Sequence, residues 1–299
     1  VGTIMMPKMI EQGYPTPFVV VLAASAALLE ALIPPSNAAI LFSALTNVPV
    51  SKTFAAGVIP GLVLLVLMVL LVLFKCRHIR TDEKASLKER LSSFIAALPA
   101  LITPVIILGG IYAGIYTPTE AGGIGFLISF IYVVAKKRLD FKGFIEAGLE
   151  TMKTTVTIFI IIAGAKVFGK AISLYRIPQD LSSFIVTNIN ETGLFILVVC
   201  ITLLILGFIM ETLSLILIMM PIFSISIAAM NIDLIWFGII FTLMIECALI
   251  TPPVGLNIYV LQAIGKAKMS EIAKGVIPFV IIMLFLSLIH ISEPTRQSS

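Results

Sequence analysis

Thr251-Pro252-Pro253-Val254-Gly255 interrupts a long apolar run late in this chain, and Ile33-Pro34-Pro35-Ser36-Asn37 interrupts another 218 positions earlier. The same offset separates Gly57-Val58-Ile59-Pro60 from Gly275-Val276-Ile277-Pro278. A turn signal, Gly13-Tyr14 in one copy and Asn231-Ile232 in the other, precedes each break by about 20 residues. Two adjacent prolines remove two backbone donors and drive the residue before them out of the helical region. Each run is therefore read as two half-helices, and the chain as an internal repeat.

Composition sets the class. The 299 residues are 59% hydrophobic and 12% charged, with a mean hydropathy of +1.13; soluble domains carry roughly a quarter charged residues. Gly57–Phe74, Ile95–Tyr112, Gly122–Ala135, Thr154–Phe168 and Gly275–Ile289 are nearly free of charge and approach the roughly 20 residues that cross a bilayer as helix. The fold class is all-α and polytopic, one transmembrane domain over residues 1–289. Proline-broken segments in corresponding halves of such a protein point to the binding site of a secondary transporter. Cys76, Cys200 and Cys247 have neither metal nor redox spacing, and two histidines make no Cys/His zinc set. The net charge of +4 belongs to basic loops without the basic-aromatic interleaving of nucleic-acid binders.

Charge orients the loops. Lys75, Arg77, Arg80, Lys84, Lys88 and Arg90 crowd one connection, and Lys136, Lys137, Arg138 and Lys142 another; the positive-inside rule makes both cytoplasmic. The turn Tyr116–Glu120 between them then faces outward. Lys266, Lys268 and Lys274 mark a third inner loop, whereas its counterpart Val48–Ala56 carries only Lys52 and precedes a helix that ends inside at Lys75. The copies run in opposite directions, as in an inverted-topology repeat. Residues 1–74 are read as the end of the first repeat and 91–289 as the second. The start at Val1, without an initiator Met, and the change of character over residues 290–299 are read as those of a fragment with a non-native tail.

Gly193–Ser224 is apolar with Gly207–Thr212 at its middle and Pro221 near its end. Each half is roughly 20 Å of helix, short of a core of roughly 30 Å, so a re-entrant hairpin with its tip at Gly207–Thr212 fits better than two spans. At the Pro252-Pro253 break, carbonyls near Ile250 and Thr251 lose their helical partners, and Thr251 and Asn257 add hard, neutral oxygens. Such oxygen-only coordination suits an alkali cation, and the half-helix N-terminus beyond the break favours an anion.

GGIYAGIYTPTEAGG (Gly109–Gly123), LGFIMETLSLILIMMPIF (Leu206–Phe223) and LITPPVGLNIYVLQAI (Leu249–Ile264), with IPPS at Ile33–Ser36, resemble the large membrane subunit of TRAP (tripartite ATP-independent periplasmic) transporters. The resemblance covers Val1 to about Leu288. It implies an elevator-type secondary transporter of the ion-transporter superfamily, in a bacterial inner membrane, taking up small organic acids with sodium. C4-dicarboxylates, keto acids and sialic acid are the substrate classes. It implies two partners, a periplasmic solute-binding protein and a small membrane subunit. Carried onto this sequence, Gly207, Glu211 and Thr212 with Thr251, Pro252, Pro253, Gly255 and Asn257 form one sodium site, and Pro34, Pro35, Ser36 and Asn37 supply half of the other. Ser36, Asn37, Thr212 and Asn257 are the implied substrate contacts. The only ion implied is Na+, as coupling ion, with no cofactor.

Glu30 and Glu246 precede the two breaks, and intramembrane carboxylates are functional candidates by default. Together with Glu211 they keep open a second reading, a proton- or sodium-coupled carboxylate carrier of the same superfamily that works without a binding protein. Glu120, after Pro118, is read as a helix N-terminal charge, and Lys166 and Lys170 as snorkelling or subunit-contact residues. HExxH, GxSxG and Asp-rich metal motifs are missing from the sequence, so the chain is read as a carrier and not an enzyme.

Overall fold

A computed structural model describes residues 2–77, 86–189, 191–251, 255, 257–258, 261–262 and 268–292. Pro252 and Pro253, named above as sodium-site residues, lie outside the described residues, as do Val254, Arg80, Lys84 and Lys266. The described residues are helical wherever they form regular structure. Six stretches are long and apolar enough to cross a membrane by length and composition: Thr16–Thr46, Val50–Lys75, Pro118–Ala135, Phe141–Leu174, Thr212–Ala229 and Met269–Ile289.

The chain forms two compact units. The first comprises Val1–Arg80 and Ala165–Ser299, and the 218-residue repeat recurs in its geometry. Helix α1 (Gly2–Glu11) ends 218 residues before α11 (Thr212–Ala229). Helix α2 (Thr16–Ala27) begins 218 residues before α12 (Leu234–Ile250), and the short α3 (Leu29–Leu32) ends 218 before α12 does. Backbone angles follow suit. Gly13 and Asn231 are both left-handed, at φ 87° and 52°. Ile33 and Thr251 are both extended, at φ −85° with ψ 117° and 125°, where the following proline puts them. The copies differ at Leu28: there the first is interrupted, with i to i+3 bonds (Leu28 N to Ser25 O, Ala31 N to Leu28 O) in place of the α-helical pattern, while α12 runs uninterrupted to Ile250.

Helix α12 is the axis of this unit. It is apolar all round, and every residue from Phe237 to Ile250 is buried, as expected of a helix without a polar face. On one side it packs with α4 (Asn37–Thr46), α10 (Thr192–Gly207) and α11 around Phe42, Phe195, Leu215, Phe237 and Phe241. On the other it packs with α2, α5 (Val50–Lys75) and α13 (Met269–Ser292) around Val20, Leu64, Cys247, Val276 and Phe279. The repeated glycines mark close approaches. A Cβ at Gly57 would stand 2.5 Å from the Leu32 carbonyl oxygen, and one at Gly275 would stand 2.9 Å from Val21 Cγ2. Small residues at such crossings let helix backbones approach, which is how helices associate in a bilayer. Helix α9 (Ile177–Asn188) packs against α11. Of the three cysteines, Cys200 and Cys247 are buried and Cys76, which ends α5, is partly exposed.

The second unit, Thr81–Gly164, holds α6 (Leu87–Tyr112), α7 (Pro118–Ala135) and the first part of α8 (Phe141–Leu174). Both α6 and α7 start in capping boxes, Ser86 with Glu89 and Thr117 with Glu120. Thr117 N and Oγ1 donate to Glu120 Oε2 at 2.7 and 2.8 Å, so this glutamate does serve the helix N-terminus. In the α6–α7 turn the Tyr116 hydroxyl donates to the Ile106 carbonyl, and its ring lies over Gly110, where any side chain would overlap it. Large apolar side chains such as Phe126, Phe159 and Ile160 are more than 60% exposed, surface that in water would be a liability and that suits lipid or a neighbouring subunit.

Candidate functional site

Both interruptions are closed by a hydroxyl acting on the carbonyl that its proline leaves orphaned or on a neighbour of it. Pro35 cannot donate to the carbonyl four residues back, and the Ser36 hydroxyl donates to that carbonyl, Ala31 O, at 2.7 Å. The same Ser36 Oγ accepts from Ala39 N at 3.2 Å and so caps α4. At the second break the Thr251 hydroxyl donates to Cys247 O at 2.6 Å. Ser36 is 1% exposed, and its oxygen serves the break from inside. Gly255 has φ +45°, and a Cβ there would stand 3.3 Å from Leu249 O; both the angle and the space favour glycine.

Between α10 and α11 the chain leaves the helical path at Phe208–Glu211, within the Gly207–Thr212 stretch expected to form a tip. Gly207 meets Ala248 of α12 so closely that a Cβ would overlap the alanine side chain. Glu211 caps α11: its Oε1 accepts from Ser214 N and Ser214 Oγ, both at 3.0 Å, and its Oε2 from Leu213 N at 3.3 Å. A carboxylate there also complements the helix dipole. Thr212 Oγ1 donates to Glu246 Oε1 at 2.9 Å, joining the tip to the buried axis helix.

These elements line an open-mouthed cavity of about 240 Å³ where the two broken helices meet. Asn37 and Ala38 open it from α4, Glu30 and Ala31 from α3, Thr212 and Leu213 from α11, and Glu246 and Leu249 from α12, with Asn257 beyond the second break. Asn37 Nδ2 donates to Glu30 Oε1 at 3.5 Å, a long bond. Three of the four implied substrate contacts, Asn37, Thr212 and Asn257, thus line one cavity, while Ser36 is buried and not part of its lining. Pro34 is buried and Pro35 exposed, on the way into α4.

Glu246 is 7% exposed. Among the described residues the ion pair formed is Lys142 with Glu146 at 3.8 Å, and neither Glu30, Glu211 nor Glu246 has a basic partner. Among the same residues no three His, Cys, Asp or Glu side chains converge as a metal set. The cavity offers carboxylate, amide and hydroxyl oxygens, hard donors that suit a small hydrated cation better than a transition metal. A larger cleft of about 690 Å³ lies between Leu45 and Thr46, α11 from Met220 on, and the turn at Asn231–Leu234. It contains none of the expected site residues, so the smaller cavity is the better candidate. Sequence reasoning missed the apolar side of the site, Ala31, Leu213 and Leu249, and missed that Glu211 is a cap; the Glu-Thr-Leu-Ser order at a helix start was the available signal.

The family model described as Tripartite ATP-independent periplasmic transporter, DctM component, matches residues 1–295. The C4-dicarboxylate TRAP transporter large permease protein DctM of Pseudomonas aeruginosa is 37% identical over 292 residues, 97% of this chain and 68% of that protein. The sialic acid TRAP transporter large permease protein SiaM of Vibrio cholerae is 31% identical, over 97% of this chain and 69% of that protein. The 2,3-diketo-L-gulonate TRAP transporter large permease protein YiaN of Escherichia coli is 29% identical, over 98% and 70%. These relatives are transporter permease subunits, not enzymes. With a family match over almost its whole length and a relative 37% identical, this chain belongs to the DctM family, the large permease component of tripartite ATP-independent periplasmic transporters.

Proposed function

We propose that the protein takes up a small organic acid by sodium-coupled secondary transport through the inner membrane. The substrate is delivered by a periplasmic binding protein, and the permease works beside a small membrane subunit. The observation that carries the reading is the cavity at the meeting of the two breaks, lined by Asn37, Thr212 and Asn257. The relatives, named for C4-dicarboxylate, sialic acid and 2,3-diketo-L-gulonate, support an organic acid as substrate class.

In this proposal α10 and α11 form a re-entrant hairpin. Its tip and the Thr251–Asn257 break hold one sodium ion, and the Pro34–Asn37 break contributes to a second. Sodium neutralises the carboxylates around the cavity, and only then can an organic anion approach, since two like charges at close range repel strongly in a low-dielectric setting. That ordering is the physical content of the coupling. Displacement of the hairpin and the broken helices together, as an elevator, carries the site across.

Uptake by the permease co-reconstituted with its two partners tests this. Radiolabelled organic acid should enter proteoliposomes only with an inward sodium gradient and only when the binding protein is present. Uptake that persists in potassium at fixed pH overturns sodium coupling, and uptake without the binding protein selects the self-sufficient carrier instead.

A further inference from the structure

Helix α8 carries two lysines inside its apolar half. The stretch from Val156 to Leu174 is interrupted only by Lys166 and Lys170 among charged residues, and Tyr175 and Arg176 follow. Lys166, Lys170 and Arg176 are exposed, and among the described residues none of them forms an ion pair. With Tyr175 at the membrane interface, a core of roughly 30 Å extends back about 20 residues to Thr155. Lys170 then lies about 8 Å below the interface and Lys166 about 14 Å. The first snorkels to the headgroups, whereas the second is too deep to do so fully, and a charge facing hydrocarbon at that depth is unfavourable unless an anion meets it.

The basic loop before α8 is on the inside by the positive-inside rule, which puts this end of α8 outside, where a cationic cluster runs against the usual bias. The surroundings are apolar and exposed. Val167, Leu174 and Tyr175 are each more than 70% exposed beside the lysines. One turn of helix places Lys166 and Lys170 on one face, roughly 6 Å apart along the axis. Gly169, between them in sequence, lies near Pro221 of α11, whose Cγ is 3.9 Å from where a Cβ on the glycine would be.

We propose that Lys166 and Lys170, with Arg176 at the rim, bind the phosphate of an anionic phospholipid in the outer leaflet, its acyl chains lying along Val167 and Leu174. The lipid supplies the charge that the lysines lack and draws its headgroup inward to the level of Lys170. The inference rests on the chain spanning a bilayer, and not on which substrate or coupling ion it uses.

The test uses the assembled permease in nanodiscs of phosphatidylcholine, titrated with phosphatidylglycerol, with thermal stability and native mass spectrometry as readouts. Phosphatidylglycerol should stabilise the wild type and remain bound to it. Each lysine should contribute roughly a fivefold gain in apparent affinity, so Lys166→Gln with Lys170→Gln should lose about 25-fold. The double Arg variant should keep the preference, and Lys142→Gln, at the opposite end of α8, should be unaffected. Equal phosphatidylglycerol affinity in wild type and the double Gln variant overturns the proposal. So does a loss seen only while the small subunit is present, since the lysines would then be meeting a protein carboxylate. Neither readout measures uptake, so failure here leaves the transport reading standing or falling by its own assay.

Discussion

Thr212→Val tests the link between the tip and the axis helix. Valine matches threonine in shape but cannot donate, so the bond from Thr212 Oγ1 to Glu246 Oε1, 2.9 Å long, is lost and the acceptor on a residue that is 7% exposed is left unmet. Leaving a buried acceptor without its donor costs about 1–3 kcal/mol. Carried entirely by the docked state of the tip, that is roughly a 5- to 150-fold fall in its population relative to opened forms. Hydrogen exchange at Ser214 and Leu215 reads this directly, because their amides are held by Glu211 in the docked tip. Exchange there should accelerate by that factor in Thr212→Val and stay close to wild type in Thr212→Ser, while the amides of α13 are unchanged. If Thr212→Val exchanges like wild type, the tip is held by the Gly207–Ala248 packing alone, and the polar link has no energetic role.

Ser36→Ala removes both a helix cap and the donor to Ala31 O; the two losses together should lower stability by about 2–4 kcal/mol, read as an early loss of helicity in thermal melts. Gly238→Ala places a methyl 2.7 Å from the Phe42 ring, and overpacking of this kind should cost about 1–3 kcal/mol in the same melt. Acid should fray the start of α6, because the bonds from Ser86 N and Oγ hold the Glu89 carboxyl below its ordinary range. A depressed folded value means that the contribution is present above the unfolded value of about 4.3 and is lost as pH falls through the lower folded value. Exchange at Glu89 and Arg90 amides should rise over that window in wild type and show no such pH step in Glu89→Gln.

The repeat could be read in the sequence because prolines and turn residues act locally. The Pro-Pro pairs set the ends of α3 and α12, and Gly13 and Asn231 set the turns before α2 and α12, through backbone restrictions that need no partner. The break at Phe208–Glu211 falls within the Gly207–Thr212 stretch that segment length and its glycine and polar residues singled out. The interruption at Leu28 was not so marked, for neither glycine nor proline stands there. Nor could sequence show that Ser36 and Glu211 serve their own helix ends. The residues chosen for oxygen chemistry are also the best caps, and only geometry tells a cap from a ligand. That Glu246 meets Thr212, 34 residues away, is likewise a product of the α11–α12 crossing. Lys166 and Lys170 stood out by charge, while their exposure, and the lack of an acidic partner among the described residues, appear only in three dimensions.

Among the three cysteines of this sequence, burial singles out Cys76 as a reporter. Cys200 and Cys247 are sealed in the helical core, whereas Cys76 sits at the end of α5 beside the first basic loop. Partial burial pushes the Cys76 thiol up, only partly offset by the neighbouring Lys75, so a maleimide should label it slowly at neutral pH and faster as the medium turns alkaline. A charged, membrane-impermeant maleimide applied to sealed right-side-out vesicles should leave it untouched, and the same reagent on inverted vesicles should modify Cys76. Cys76 is therefore a built-in marker of which face of the membrane the α5 terminus occupies.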